Sequence, residues 1–378
     1  MKTSNFIHIS LGSNIGNRLG FLQQAISAIY NTIGDVIVVS KVYQTTAWGF
    51  DSDDFYNACI SVRTFYTTRT VLHKLLAIEN GLGRSRPNTE GYASRTIDLD
   101  IIFSSEGIIK TDHLVTPHPR LQDRKFVLMP MAEIAGDEYH PILKQTVEEL
   151  LQNTTDQSAV TRVKEHLVNP KKKYTISTLQ YLTIEGNIGA GKTSLSQLIA
   201  QEFNAKLVLE RFADNPFLPK FYEDMERYAF PLEMSFLADR YQRLQDDIAQ
   251  LDLFRDFVIS DYDVFKSLIF AQVTLQPEEY LLYKKVFDIM YRELPTPGLY
   301  VYLYQNTERL LENIKNRGRA YEQQIPAHYL EKINKGYLQF MKSQSYCKAT
   351  VIDISDRDFI NNREDYIWIL NTLSGFTK

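Results

Sequence analysis

With 378 residues the chain is too long for one ordinary hydrophobic core, so two domains are expected. Its 44% apolar and 23% charged content is that of a globular protein, and a net charge of −4 argues against a general affinity for nucleic acid or other polyanions. Cys59 and Cys347 stand in different halves, with no Cys-x-x-Cys and no Cys/His cluster, so neither a zinc site nor a disulfide framework is predicted. No apolar run approaches membrane-spanning length, and residues 1–5 lead straight into a strand-like run at 6–10 where a signal peptide would need an apolar core; a cytoplasmic protein with no membrane partner is expected.

Residues 6–11 read as a strand entering a glycine turn, Gly12-Ser13-Asn14-Ile15-Gly16-Asn17. A helix pattern follows over 19–30, a β-branched strand over 36–42, a strand over 58–63, an amphipathic helix over 70–81 and a strand over 95–103. Strands and helices mix without a regular βα repeat, which points to α+β organisation. The most informative run is Arg95-Thr96-Ile97-Asp98-Leu99-Asp100-Ile101. Residues two apart on a strand share a face at roughly 6.6 Å, so Asp98 and Asp100 look one way while Ile97, Leu99 and Ile101 look into a core. Two carboxylates so close repel unless something positive lies between them. One or two Mg²⁺ ions held with a triphosphate would meet that need. Arg84, Arg86 and Arg95 precede the pair, and Arg120 and Arg124 follow it. Phosphate transfer uses metal together with fixed guanidinium donors of this kind.

Taken together, Gly12-Ser13-Asn14, Tyr43-Gln44-Thr45-Thr46, Phe55-Tyr56-Asn57, Arg95-Thr96-Ile97-Asp98-Leu99-Asp100, Pro117-His118-Pro119-Arg120 and Arg124-Lys125-Phe126-Val127-Leu128 resemble the 6-hydroxymethyl-7,8-dihydropterin pyrophosphokinases over about residues 5–150. The resemblance implies a ferredoxin-like α+β sandwich that moves pyrophosphate from ATP to the pterin hydroxymethyl group and releases AMP. It implies Mg²⁺ on Asp98 and Asp100, Arg84 and Arg95 as catalytic residues on the transferring phosphates, and Glu79, His118 and Arg124 toward ATP. Phe55 and Phe126 would sandwich the pterin ring, with Asn57 and Thr45 at its polar edge; two facing aromatics suit a flat heterocycle. The sequence departs from the family before Arg95. Glu90-Gly91-Tyr92-Ala93-Ser94 stands where a tryptophan and a Gly-Pro are usual, and Tyr92 takes the tryptophan's place.

Periodic structure fades after Leu151. Polar residues 152–158 and then Asn169-Pro170-Lys171-Lys172-Lys173 read as a solvated linker. The expected division is a domain over 1–165, a linker over 166–177 and a second domain over 178–378.

Beyond it, an apolar strand over 179–184 enters Gly186-Asn187-Ile188-Gly189-Ala190-Gly191-Lys192-Thr193, and Ser194 opens a helix. Strand, G-x-x-x-x-G-K-[ST] and helix together make a phosphate loop. Glycines let successive N–H groups converge on phosphate oxygens, and the helix N-terminus adds positive potential. Lys192 can reach the outer phosphates, and the Thr193 hydroxyl can ligate Mg²⁺. A second strand, 206–209, ends at Glu210, an acid placed to act as general base. A long helical pattern carries Glu233, Asp239 and Arg240. A buried strand over 257–260 ends at Asp261, suited to a Mg²⁺-bound water, and 299–303 is another strand. Alternating strands and helices predict a parallel, three-layer α/β fold.

Phe221-Tyr222-Glu223, Glu210, and Arg317-Gly318-Arg319 followed by Glu322, Ile325-Pro326 and Tyr329-Leu330-Glu331-Lys332 resemble the deoxynucleoside kinases over about residues 178–375. The resemblance implies transfer of the ATP γ-phosphate to a deoxynucleoside 5′-hydroxyl. Glu210 would take the hydroxyl proton, Tyr222 and Glu322 would bracket the sugar 3′-hydroxyl, and Arg317 and Arg319 would close on the transferring phosphate; Arg240 joins the nucleoside-binding set. Two departures stand out. Ser260-Asp261-Tyr262-Asp263 lacks the arginine common in the family, and Lys266 is the candidate substitute. The base-reading position holds Glu233 where glutamine is usual. A carboxylate only accepts hydrogen bonds, whereas an amide also donates, so Glu233 is expected to read N–H donors on a purine.

The whole reads as a bifunctional fused enzyme with two independent MgATP-dependent pockets. One takes a hydroxymethyldihydropterin and the other a deoxynucleoside, and by analogy the kinase half can form a homodimer. Two other readings exist. An RNA-binding N-terminal half would need an aromatic RNP-type strand, which is absent. An idle nucleotide-binding C-terminal half would account for the missing arginine.

Overall fold

The computed structural model describes residues 4–46, 53–84, 94–210, 215–249, 254–291, 295–343, 345 and 347–377. They form two compact units, residues 1–174 with 361–367, and residues 175–360 with 368–378.

The first unit is built on an antiparallel sheet. Strand β1 (Asn5–Ser13) is followed by helix α1 (Arg18–Thr32), β2 (Asp35–Val39), β3 (Tyr43–Thr45), β4 (Phe55–Thr64), α2 (Thr68–Gly81) and β5 (Asp98–Ser104). Short ribbons β6 (Ile109–Lys110) with β7 (Val115–Thr116) and β8 (Tyr139–His140) with β9 (Gln145–Thr146) flank α3 (Lys125–Ala135). Helix α4 (Val147–Asn153) and β10 (Val160–Arg162) complete the unit, and the sheet order is β10-β3-β4-β1-β5. Ile7, Ile9 and Leu11 alternate along β1 and are fully buried, as a period of two requires. Leu22, Ala25, Ile26 and Ile29, spaced by three and four, are the buried stripe of α1. Cys59, Ile102 and Phe103 pack with Val127, Leu128 and Met131 of α3 and Leu150 of α4 in a second cluster.

Two expectations are corrected here. The strand expected over 36–42 stops at Val39, because residues 40–42 leave the ladder before β3 begins: the Ser40 hydroxyl accepts the Cys59 amide at 2.9 Å, and the Lys41 amide donates to Glu133 of α3 at 2.9 Å. Nor are residues 167–174 a solvated tether. Leu167 and Tyr174 are buried, the Asn169 side chain donates to the Val36 carbonyl at 2.6 Å, and Lys171 pairs at 3.2 Å with Asp35, a buried carboxylate that also holds Arg63 at 2.8 Å.

The second unit is a parallel sheet. Its strands are β11 (Tyr181–Gly186), β12 (Ala205–Val208), β13 (Phe257–Ser260), β14 (Leu299–Tyr304) and β15 (Ala349–Asp353), in the order β12-β13-β11-β14-β15. All four neighbouring pairs are parallel. The connecting helices are α5 (Lys192–Phe203), α6 (Leu218–Glu223), α7 (Met225–Ala249), α8 (Phe265–Thr274), α9 (Pro277–Met290), α10 (Thr307–Arg317) and α11 (Ala327–Ser343). Aromatic rings carry much of this core. Tyr302 of β14 stacks on Tyr337 of α11 at 4.6 Å, and its hydroxyl donates to Asn334 at 2.7 Å. Asn187, the first residue after Gly186, donates to the same Asn334 oxygen at 2.7 Å and to the Leu330 carbonyl at 2.8 Å. The floor of the glycine loop is thereby pinned to α11. Gly189 has φ +84°, and a Cβ there would meet the Leu310 carbonyl and Ile314 at 3.0 Å, so only glycine fits.

Candidate active sites

In the first unit, β1, β3, β4, β5 and the start of α3 close on a cavity of about 620 Å³. Thr45, Phe55, Asn57, Arg95, Asp98, Asp100, Arg124 and Phe126 line it, joined by Ser10, Gly12 and Thr46. Register explains the gathering. Gly12 faces Asn57 on one side and Asp98 on the other, and Ser10 faces Cys59 and Asp100. Gly12 lets the acceptor side close up, since a Cβ would stand 3.2 Å from the Asn57 side-chain oxygen. Asn57 in turn donates to the Thr45 hydroxyl at 2.9 Å.

The charges interlock. Arg95 donates to Asp98 at 2.6 Å, Arg84 lies 2.5 Å from the other Asp98 oxygen, and Arg124 donates to Asp100 at 3.2 Å. Burial and the neighbouring Asp100 charge raise the Asp98 pKa against the pull of Arg95 and Arg84. Burial thus disfavours the ionised form of Asp98 even with two guanidinium groups beside it. Conversely, Nε of both Arg95 and Arg124 is buried without a hydrogen-bond partner. A buried guanidinium donor left open is costly unless an anion arrives.

Three expected residues are absent from the lining. Arg84 is turned onto Glu79 and Asp98, and Glu79 is 1% exposed, bonded to Arg84 and to the Leu99 amide at 2.8 Å. His118 accepts the Arg120 amide on Nδ1 at 3.2 Å, with Arg124 3.4 Å from Nε2. Burial, then Arg124 and Arg120, lower its pKa to about 4, so the ring is neutral near pH 7. Arg86 and Tyr92 lie outside the described residues.

In the second unit a cavity of about 730 Å³ runs from the glycine loop to α7 and α8. Ile188, Gly189, Lys192, Thr193, Glu210, Tyr222, Glu233, Arg240, Asp261, Arg317, Arg319 and Glu322 all line it. The remaining loop residues are not in the lining: Gly186 and Asn187 offer their carbonyls to the Lys192 ammonium at 2.9 and 3.0 Å, and Ala190, Gly191 and Ser194 do not line the cavity. Burial and then Lys266 lower the Lys192 pKa to about 8. Thr193 donates to Asp261 at 2.5 Å, and the other Asp261 oxygen accepts the Glu210 amide at 2.7 Å. Burial raises the Asp261 pKa.

Glu210 is capped by cations. Arg240 donates to Oε1 through Nε at 2.9 Å and Nη2 at 2.6 Å, and Lys266 donates to Oε2 at 2.5 Å. Burial would raise the Glu210 pKa, but Lys266 and Arg240 outweigh it and hold the group well below the usual carboxylate range. Lys266, one helical turn beyond the missing arginine, thus faces the cavity. Glu322 gathers both Arg317 and Arg319, the latter at 3.2 Å.

One buried charged residue that supports the glycine loop escaped the sequence reading. Glu185, fully buried beside Gly186, accepts the Asp263 amide at 2.7 Å and the Tyr337 hydroxyl at 2.9 Å, tying the loop that follows β13 to the strand below the glycine loop. An acid closing an otherwise apolar strand was the available signal.

Known proteins match both units. Residues 182–378 fit the deoxynucleoside kinase family model, and residues 8–136 fit that of 7,8-dihydro-6-hydroxymethylpterin-pyrophosphokinase. A deoxyguanosine kinase of Bacillus subtilis (strain 168) is 34% identical over 195 residues, 50% of this chain and 94% of that protein. A deoxyadenosine/deoxycytidine kinase of the same organism is 29% identical over 196 residues, 50% of this chain and 90% of that protein. Its 2-amino-4-hydroxy-6-hydroxymethyldihydropteridine pyrophosphokinase is 36% identical over 159 residues, 42% of this chain and 89% of that protein. The chain therefore belongs to two families at once, the hydroxymethyldihydropterin pyrophosphokinases through its N-terminal part and the deoxynucleoside kinases through its C-terminal part.

Proposed function

We propose that this bifunctional transferase moves pyrophosphate from ATP to 6-hydroxymethyl-7,8-dihydropterin at the first cavity and the ATP γ-phosphate to the 5′-hydroxyl of a purine deoxynucleoside at the second. The observation that carries the reading is convergence: in each unit, phosphate-binding groups and an aromatic acceptor pocket open into one cavity. Among the described residues, no group of three or more His, Cys, Asp or Glu could hold a metal by itself. The donor sets Asp98 with Asp100, and Thr193 with Asp261, are hard oxygens that fit Mg²⁺ when phosphate and water complete the shell. Bound there, Mg²⁺ would neutralise developing phosphate charge.

At the first site Arg95 and Arg124, each with an open Nε, take the phosphates together with Arg84, which Glu79 anchors from below. Phe55 and Phe126 stack the pterin, and Asn57 and Thr45 bond its edge. Neutral His118 contributes a hydrogen bond toward ATP in place of a charge. At the second site the glycine-loop amides and Lys192 hold the triphosphate, and Arg317 and Arg319 close on the transferred group. Tyr222 and Glu322 bracket the 3′-hydroxyl, and Glu210 receives the 5′-hydroxyl proton. A carboxylate held ionised is a weak base, but a loose phosphoryl transition state asks for little proton removal before bond cleavage. Glu233, buried beside Phe236 and Phe270, reads the base; the matched deoxyguanosine kinase supports a purine.

AMP release with the pterin alcohol and ADP release with a panel of nucleosides test both halves. Glu210→Gln is expected to lower nucleoside phosphorylation about 10²–10⁴-fold; intact turnover would remove Glu210 from its role. Clear preference for pyrimidine nucleosides would remove Glu233 from its own. The finer fold readings, a ferredoxin-like sandwich and a three-layer α/β kinase, draw support from the β-α-β-β-β-α-β order of the first unit, in which β2 and β3 both pair with β4 and β4, β1 and β5 lie side by side, and from the parallel sheet of the second. A homodimer through the kinase half and a cytoplasmic location complete the proposal; among the described residues no helix is long and apolar enough to cross a membrane.

A further inference from the structure

The carboxyl group of Glu233 enters the nucleoside cavity half satisfied. The residue is 2% exposed. Its Oε1 lies 3.3 Å from the Thr274 hydroxyl, whose single proton is shared with the Phe270 carbonyl at 2.9 Å, while Oε2 is buried without a hydrogen-bond partner. Groups face it from several elements, and none is a free counter-ion. On its own helix α7, Arg240 is committed to Glu210 and to the Ser267 hydroxyl. From α8, Lys266 is committed to Glu210. From α9, the Tyr283 hydroxyl donates to the Glu233 backbone carbonyl at 3.3 Å. Tyr222 of α6, Tyr329 of α11 and the Glu210 carboxylate complete its charged and titratable surroundings. The open oxygen is therefore left for the ligand.

What that oxygen can do depends on its proton. An ionised carboxyl has two acceptors and no donor, whereas a neutral one has an acceptor and a donor. Guanine presents two adjacent N–H donors, N1–H and the N2 amino group. Adenine presents the N6 amino donor beside a ring-nitrogen acceptor. We propose that Glu233 selects between the two purines through its own protonation state, the carboxylate taking deoxyguanosine and the carboxylic acid taking deoxyadenosine, so that one enzyme changes its preferred purine with pH. The inference rests on Glu233 as the base-reading residue. Burial, only partly offset by Arg240, raises its pKa to about 7, where both states are populated.

The test is competition between deoxyguanosine and deoxyadenosine at equal concentration with ATP, from about pH 6 to about pH 8, with the two monophosphates quantified. Ionisations shared by both reactions, those of Lys192 and Asp261 included, cancel in the product ratio, and both bases stay neutral over this range. The deoxyguanosine-to-deoxyadenosine ratio is expected to rise by up to about tenfold per pH unit, about 100-fold overall, because it follows the ratio of ionised to protonated carboxyl. In Glu233→Gln, whose amide is permanently one donor and one acceptor, the ratio should be low and flat. A flat or falling wild-type profile beside a shifted glutamine variant would overturn proton-coupled selection and leave Glu233 as the base reader. A glutamine variant with the wild-type ratio at every pH would overturn both. If that variant fails to fold, the wild-type profile alone decides the proposal.

Discussion

The two units answer the same electrostatic demand with different materials. On the proposed function, triphosphate recognition in the C-terminal unit falls to eight consecutive residues, 186–193, whose backbone is held open by Gly189 and Gly191 at positive φ and pinned through Asn187 to α11. In the N-terminal unit it is spread over the side chains of Arg84, Arg95, Asp98, Asp100 and Arg124, brought together by strand register and by mutual ion pairs. A backbone cradle is specified by a short motif and tolerates change around it. A side-chain cradle depends on every member and on the sheet that aligns them.

Reciprocal substitutions give the largest effects. Lys192→Ala should lower nucleoside phosphorylation about 10³-fold and leave AMP release intact, and Asp98→Asn should do the reverse. Parallel ADP and AMP assays read both, and a variant losing both activities together would break the independence of the sites. Glu185→Gln sharpens the contrast within the kinase unit. It weakens two charge-assisted bonds, to the Asp263 amide and the Tyr337 hydroxyl, and should lower kcat about tenfold with little change in KM.

A smaller effect concerns pH and the N-terminal unit. The His118 pKa lies at about 4 in the folded chain, below its ordinary 6.5. The unfolded chain therefore binds more protons between those values, and stability falls as pH drops through that window. Melting at pH 7 and pH 5 should show a loss on the order of 1 kcal/mol, which His118→Asn abolishes. The smallest effect expected is from Lys171→Ala, about 0.5 kcal/mol by chemical denaturation, because Asp35 keeps Arg63.

Legibility follows the same division. The glycine loop, Glu210 and Asp261 could be read because each sits at a strand end within a βα unit. Asp98 and Asp100 could be read because a strand puts every second residue on one face. Features set by partners distant in sequence could not. The break at residues 40–42 depends on Glu133, the docking of residues 167–174 depends on Asp35, and the burial of Glu79 depends on the Leu99 amide. Glu233 was legible as an oddity at a known position, but its empty oxygen required the packing of Thr274 against its twin.

The pair of cations on Glu210 has a consequence for ligand-free protein. Lys266 and Arg240 are kept quiet by a single negative charge. Neutralising that charge strands two buried cations, which weakens the empty fold but leaves a strong electrostatic sink. Glu210→Gln should accordingly be a nucleotide trap: slow in turnover, fragile alone, and raised further in melting temperature by ATP than the parent enzyme. Such a variant would suit capture of both substrates before reaction.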